Sequence, residues 1–263
     1  MEHQDFAEQG IEGFLQGKLS PHENQRIVRH LLAGRLPEGR VVPVVERATY
    51  EALFENLGTR LAEAEARVSQ ERQTASRLWS FLEPHPQMRR QVILRNDRRL
   101  QTWGLYELLL GRAKALSESD APAAASYADL AVTLAGNLDP EVYGMERIAD
   151  FRTTALAVLG NARRLAGDLV GARIAFQQAR LSLEFGSGDS LEEANLLSLL
   201  AHLLCDLGEY EKAAQALERA TALYRRAGEP GIPLAELPEP LREQPGFTDG
   251  RRAEGRRGGR RGD

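Results

Sequence analysis

Apolar residues recur every three to four positions along most of the chain, and this spacing predicts helices. The stretch "DFAEQGIEGFL" puts Phe6, Ile11, Phe14 and Leu15 on one stripe, and "ENQRIVRHLLAG" puts Ile27, Val28, Leu31 and Leu32 on a second. Ser20 and Pro21 start the second helix, since Ser caps free amides and Pro fits the first turn; Glu23 completes a capping box and Gly34 stops the helix. Residues 1–40 thus read as a small helical unit. Residues 41–85 read as a connecting helix with a thin stripe of Leu53, Leu57, Leu61, Ala64 and Val68. It serves either as an amphipathic linker lying along something else or as a dimerising coiled coil. Proline and histidine interrupt the pattern at "EPHPQ", and residues 86–228 form the main helical body.

That body repeats itself. "LGNARRLAGDLVGARIAFQQARLSL" from Leu159 aligns with "LAHLLCDLGEYEKAAQALERATALY" from Leu200. Leu159–Gly160 matches Leu200–Ala201, the turn glycines Gly167 and Gly208 match, and Ala172, Phe176 and Ala179 match Ala213, Leu217 and Ala220. Small residues are needed where two helices of a hairpin approach closely, and a glycine suits the turn between them. A third copy runs from Trp103 to Gly136, with Ala124, Ala128 and Ala131 at the packing offsets and no glycine in its turn.

These spacings resemble the tetratricopeptide repeat. The copies lie 41 residues apart rather than the family's usual 34, which implies longer helices or an insertion near "FGSGDS". The resemblance implies that the second helices form an outer wall and the first helices line a concave groove. Groove positions then fall at Thr154, Ala157, Asn161 and Arg164 in one repeat and at Asn195, Ser198 and His202 in the next. Asn161 can offer donor and acceptor to a peptide backbone, and Arg164 can hold a carboxylate with two hydrogen bonds. Ala157 stands where peptide-clamping relatives carry Lys, which argues against a strict preference for a C-terminal carboxylate.

The N-terminal unit resembles the zinc-binding anti-sigma domain of bacteria, with its "H-L" helix end followed by two cysteines. His30 survives, but Arg35 and Gly39 stand where the thiolates belong. Structural zinc needs about four ligands and favours thiolate and imidazole, so no metal and no cofactor is expected here. His30 then reads as a helix-end histidine favoured by the dipole.

Composition narrows the function. Hydrophobic residues make up 42% of the 263 and aromatics only 6%, consistent with helices packed through small side chains. The longest apolar run, "LLSLLAHLLCDL", is interrupted by Ser198, His202 and Asp206 and falls short of the ~20 residues a membrane span needs. The start "MEHQDFAEQG" lacks a secretory pattern, and the single cysteine, Cys205, excludes an internal disulfide framework, so a cytoplasmic setting is expected, and the two resemblances together imply a bacterial one. Cys205 reads as core. Net charge is −4, but from Gly250 on six Arg face only Glu254 and Asp263, so the tail carries +4 and the body −8.

No phosphate loop, nucleophile elbow or metal-protease motif occurs, and carboxylate pairs such as Glu192–Glu193 fall on faces expected to be solvated, so no enzyme is expected. The cluster Arg89, Arg90, Arg95, Arg98 and Arg99 lacks interleaved aromatics, and Asp97 reads as a cap. Nucleic acid is expected to bind only nonspecifically, through the Arg/Gly tail. Residues 229–263, with five prolines from Pro230 to Pro245, are expected to be disordered.

The expected protein is therefore all-α: a short helical-hairpin solenoid preceded by a small helical unit and a connecting helix. It would act as an adaptor holding a peptide or helix in the repeat groove. The alternative, implied by the second resemblance, is a regulator gripping a sigma-class transcription factor through its N-terminal helices.

Overall fold

The computed structural model describes residues 47–229 and Leu241. The N-terminal unit, with His30, Arg35 and Gly39, lies outside the described residues, as does the Arg/Gly tail. Nine α-helices and no strand are found among the described residues. They are α1 (Arg47–Leu82), α2 (Gln87–Asn96), α3 (Trp103–Leu116), α4 (Ala121–Ala135), the single turn α5 (Pro140–Tyr143), α6 (Met145–Leu165), α7 (Leu169–Leu183), α8 (Ser190–Asp206) and α9 (Tyr210–Ala227). A 3-10 turn, Arg98–Leu100, joins α2 to α3.

Three antiparallel hairpins, α3–α4, α6–α7 and α8–α9, stack in chain order into the expected all-α solenoid. Their starts are capped by side chains that accept an otherwise orphaned amide: Thr102 from Leu105 (3.3 Å), Asp120 from Ala123 (3.0 Å), Asp168 from Gly171 (2.8 Å) and Asp189 from Leu191 (2.9 Å). Between α6 and α7, Gly167 adopts φ +82°, the Gly167 amide donates to Arg164 O and the Asp168 amide to Arg163 O. Gly208 repeats this at φ +75°, with bonds to Cys205 O and Leu204 O. The left-handed residue lets the chain reverse while capping the last carbonyls, so both glycines are demanded by the backbone. The first hairpin turns without one: Ser117 is right-handed, and its hydroxyl bonds back to Ala113 O at 2.9 Å.

Small residues bring the hairpin helices together as expected. Ala124, Ala128, Ala131, Ala172, Ala179, Ala213 and Ala220 are fully buried. The 41-residue period comes from helix length and from the connection: α7 runs for 15 residues and α8 for 17, and residues 184–189 join them. Helix α6 runs for 21 residues, and its first turns carry Asp150, a buried carboxylate. Asp150 accepts the Ser187 amide through both oxygens (3.0 and 3.2 Å) and so ties down the long connection between α7 and α8. Gly186 permits this, because a Cβ there would lie 2.2 Å from Asp150 Oδ1.

The connecting helix is described in part, and it lies along the first hairpin. The side chains of Leu53, Leu57 and Leu61 lie outside what the structure describes; Ala64 is exposed and Val68 half-buried. Among the described side chains of α1, packing is made by the last turns, where Ala75, Trp79 and Leu82 are buried against the first hairpin. Gly104 allows the contact, since a Cβ there would lie 2.4 Å from the carbonyl carbon of Glu71. Two members of the arginine cluster are structural. Arg90 donates to Leu82 O and Glu83 O at the end of α1 and lies 5.1 Å over the Trp79 ring, while Arg99 pairs with Asp97.

Leu241 is the one described residue beyond Glu229. Although it falls in a segment expected to be disordered, it is helical and fully buried, packed with Ala201, Cys205, Ala213, Ala216 and Leu217. A terminal repeat has no neighbour to cover its apolar side, and Leu241 supplies that cover. Cys205 is core, as expected, and burial pushes its thiol up.

Candidate functional site

The first helices of the second and third hairpins, α6 and α8, pack side by side, and between them they carry the expected groove residues. The structure draws several of them into contacts within the chain. Thr154 donates its hydroxyl to Asp150 O (3.1 Å) and to the Glu192 carboxylate on α8. Ala157, 3% exposed, sits in the core beside Leu196 and Leu203 rather than on a groove surface. Arg164 reaches across to Asp206 at 2.9 Å and, through Nε, donates to Asn161 Oδ1 at 3.1 Å. With its side chain only 15% exposed, Arg164 is no solvated arginine awaiting a carboxylate.

Asn161 is thereby held in one orientation. Its oxygen is engaged by Arg164, which points the amide NH2 away, and that NH2 has no partner among the described residues. On α8, Asn195 is exposed and accepts from the Tyr224 hydroxyl at 2.7 Å; Ser198 bonds back to Ala194 O at 2.8 Å; His202 is half-buried on the next turn.

Glu192 and Glu193 are not the solvated pair expected. Glu193 pairs with Arg219 of α9. Glu192 is half-buried, and loss of hydration raises its carboxyl above the usual value; the negative charges of Asp150 and Asp189 raise it further, against the Thr154 hydrogen bond and Lys114. Sequence spacing alone could not reveal this, because Thr154 and Asp150 face Glu192 from the preceding repeat and Arg219 faces Glu193 from the next helix.

A cleft of about 520 Å³ opens elsewhere, between α1, the 3-10 turn and the α4–α6 connection, lined by Arg67, Glu71, Arg98, Gln101, Asp139 and Tyr143. Its polar centre is internally satisfied: the Tyr143 hydroxyl donates to Glu71 (2.7 Å) and accepts from the Trp103 amide (3.1 Å), and Gly104 N–H donates to Glu71 (3.1 Å). Burial pushes the Tyr143 phenol up. The arrangement anchors α1 to the first hairpin. Among the described residues, no group of three or more His, Cys, Asp or Glu side chains could hold a metal ion. None of the described helices is long and apolar enough to cross a membrane.

The model of one family, the tetratricopeptide repeat, matches residues 151–226, from the second turn of α6 to the end of α9. The match covers the second and third hairpins; the first is joined to them by fold and by its buried alanines. No curated protein and no solved structure matches the chain. Tetratricopeptide repeats are in general protein-binding modules and are typically not catalytic.

Proposed function

We propose that this protein is a non-enzymatic adaptor that holds a peptide or helical segment of a partner against α6 and α8, at Thr154, Asn161, Arg164, Asn195, Ser198 and His202. The observation that carries this reading is the Asn161 amide: its oxygen is fixed by Arg164, and its two N–H donors have no partner among the described residues. A preorganised donor pair suits a backbone carbonyl, which every peptide presents and which costs no ordering of the binding side chain. Arg164 orients Asn161, and Asp206 occupies the guanidinium edge a ligand carboxylate would need. The ligand is therefore read through its backbone rather than its terminus.

A photoreactive residue placed at Ser198 in the full-length chain, compared with one at Glu218 on the outer face of α9, tests this in cells. The expected result is a defined protein adduct from position 198 alone, lost when Asn161→Ala is added. Adducts that form only through residues 1–46 would overturn the groove reading and favour the sigma-factor alternative; adducts insensitive to Asn161→Ala would overturn it as well.

A further inference from the structure

The outer face of α7 carries a row of large apolar side chains that the hairpin does not use. Val170 is 74% exposed, Ile174 47%, Leu181 60%, and Phe185, in the turn that closes the helix, 74%. At 100° per residue these four fall within one narrow stripe, opposite Ala172, Ala175, Phe176 and Ala179, which face the core. Helix α7 is thus apolar on two sides, and only one is covered.

The repeat itself supplies the control. Forty-one residues on, the same positions of α9 are Glu211, Gln215, Ala222 and Arg226. The hairpin architecture therefore does not call for apolar side chains there. An exposed apolar row of this kind, interrupted only at Gln177 and Gln178, marks a contact with another macromolecule.

The spacing of the row says which one. Its members are four, seven and four residues apart, a pattern that reads the same in both directions about the Gln177–Gln178 bond. We propose that this face of α7 is a two-fold interface with a second copy of the chain, the two helices antiparallel. Val170 then meets Phe185 of the second copy, Ile174 meets its Leu181, and the exposed Gln177 and Gln178 face each other across the axis. Amide side chains carry both donor and acceptor and so pair with themselves, as an isologous contact requires. At about 200 Å² for a large side chain, the four exposures amount to roughly 500 Å² per copy and on the order of 1,000 Å² per pair, the lower edge of a specific interface. The groove along α6 and α8 stays free in such a dimer, so the two sites can fail independently.

Sedimentation equilibrium of the full-length protein over a concentration series tests this. The expected result is a reversible dimer that Ile174→Asp with Leu181→Asp shifts to monomer by at least tenfold in dissociation constant, with helical circular dichroism unchanged. The paired change Glu211→Lys with Gln215→Lys on α9 is expected to leave the dimer intact. As a second measure, Cys205→Ala with Gln178→Cys places the chain's only cysteine beside the axis, and mild oxidation is expected to give a covalent dimer. A wild-type monomer throughout, or a dimer that survives the α7 charges, overturns the proposal. So does a face covered by another occupant, such as residues 1–46 of the same chain, seen as a monomer whose position 178 cross-links intramolecularly.

Discussion

The second and third hairpins are two solutions to one packing problem. In the second, Gly160 of α6 leaves room for Phe176 of α7, whose ring atoms would lie 2.8–3.1 Å from a Cβ at that position. In the third, the matching pair is Ala201 and Leu217, both buried. One copy uses no side chain against a large ring, and the other a methyl against a smaller branched chain. Helix separation sets how much volume the pair may fill, and each repeat divides that volume differently. The outer faces diverge without any such exchange, apolar on α7 and polar on α9, because nothing within the hairpin constrains them.

The sharpest break between the two hairpins should come from Asp150, since its counterpart in the third hairpin is Leu191 and makes no such tie. Asp150→Ala leaves the Ser187 amide without its acceptor at a half-buried site. A loss of about 2–3 kcal/mol is expected by urea denaturation. Because the tie joins the two hairpins, residues 190–227 should also gain faster amide exchange than residues 103–135. An unchanged midpoint would show that the α7–α8 connection is held by helix packing alone.

Exchanging the packing solutions gives the next largest effect. Gly160→Ala should destabilise by about 1–3 kcal/mol, the overpacking outweighing the gain in helix propensity. Phe176→Leu added to it should restore most of the loss, leaving a coupling of at least ~0.5 kcal/mol. Simple additivity in that cycle would mean the ring moves aside freely, contrary to its 1% exposure.

The inward face of the repeats was legible because it obeys a short-range grammar. Ala172, Phe176, Ala179 and their counterparts, with Gly167 and Gly208, could be read from spacing, since neighbouring turns of one helix dictate them. The α1 anchor was legible in principle: Ala75, Leu78, Trp79 and Leu82 recur at three and four on the same helix as the stripe beginning at Leu53. What spacing could not show is pairing across repeats. Arg164 with Asp206 and Thr154 with Glu192 join residues 42 and 38 apart, and they turn expected ligand contacts into contacts within the chain. Leu241 escaped for a different reason: one leucine among prolines carries no periodicity, and only the uncovered end of the array gives it a place.

The junction between α6 and α8 should betray itself in pH dependence. Glu192 has its carboxyl raised in the folded chain, chiefly by burial, so in the range above the ordinary value of 4.5 the folded state holds more protons than the unfolded one. Stability contributed at this site therefore falls as pH rises through that range and stays reduced at neutral pH. Glu192→Gln removes the charge and keeps an oxygen for the Thr154 hydroxyl. It should raise the melting temperature at neutral pH and have little effect below pH 4.5. Equal gains at both pH values would place the cause in packing rather than charge.

The smallest effect on stability is expected from the outer face, and its smallness is the point. Grafting the third hairpin's residues onto α7, as Val170→Glu, Ile174→Gln, Leu181→Ala and Phe185→Arg, alters four side chains that are 47–74% exposed and outside the core clusters. Exposed substitutions cost within about 0.5 kcal/mol each, and the added charge and shorter side chains do nothing to the Ala172–Phe176–Ala179 face. Urea midpoints measured at low protein concentration should therefore nearly coincide with those of the wild type, while at high concentration only the wild type should gain stability, because association favours the folded state by mass action. A grafted chain that unfolds early at every concentration would mean that α7 needs its outer apolar row to stand within its own hairpin, and the two hairpins would then differ in how they fold and not only in what they bind.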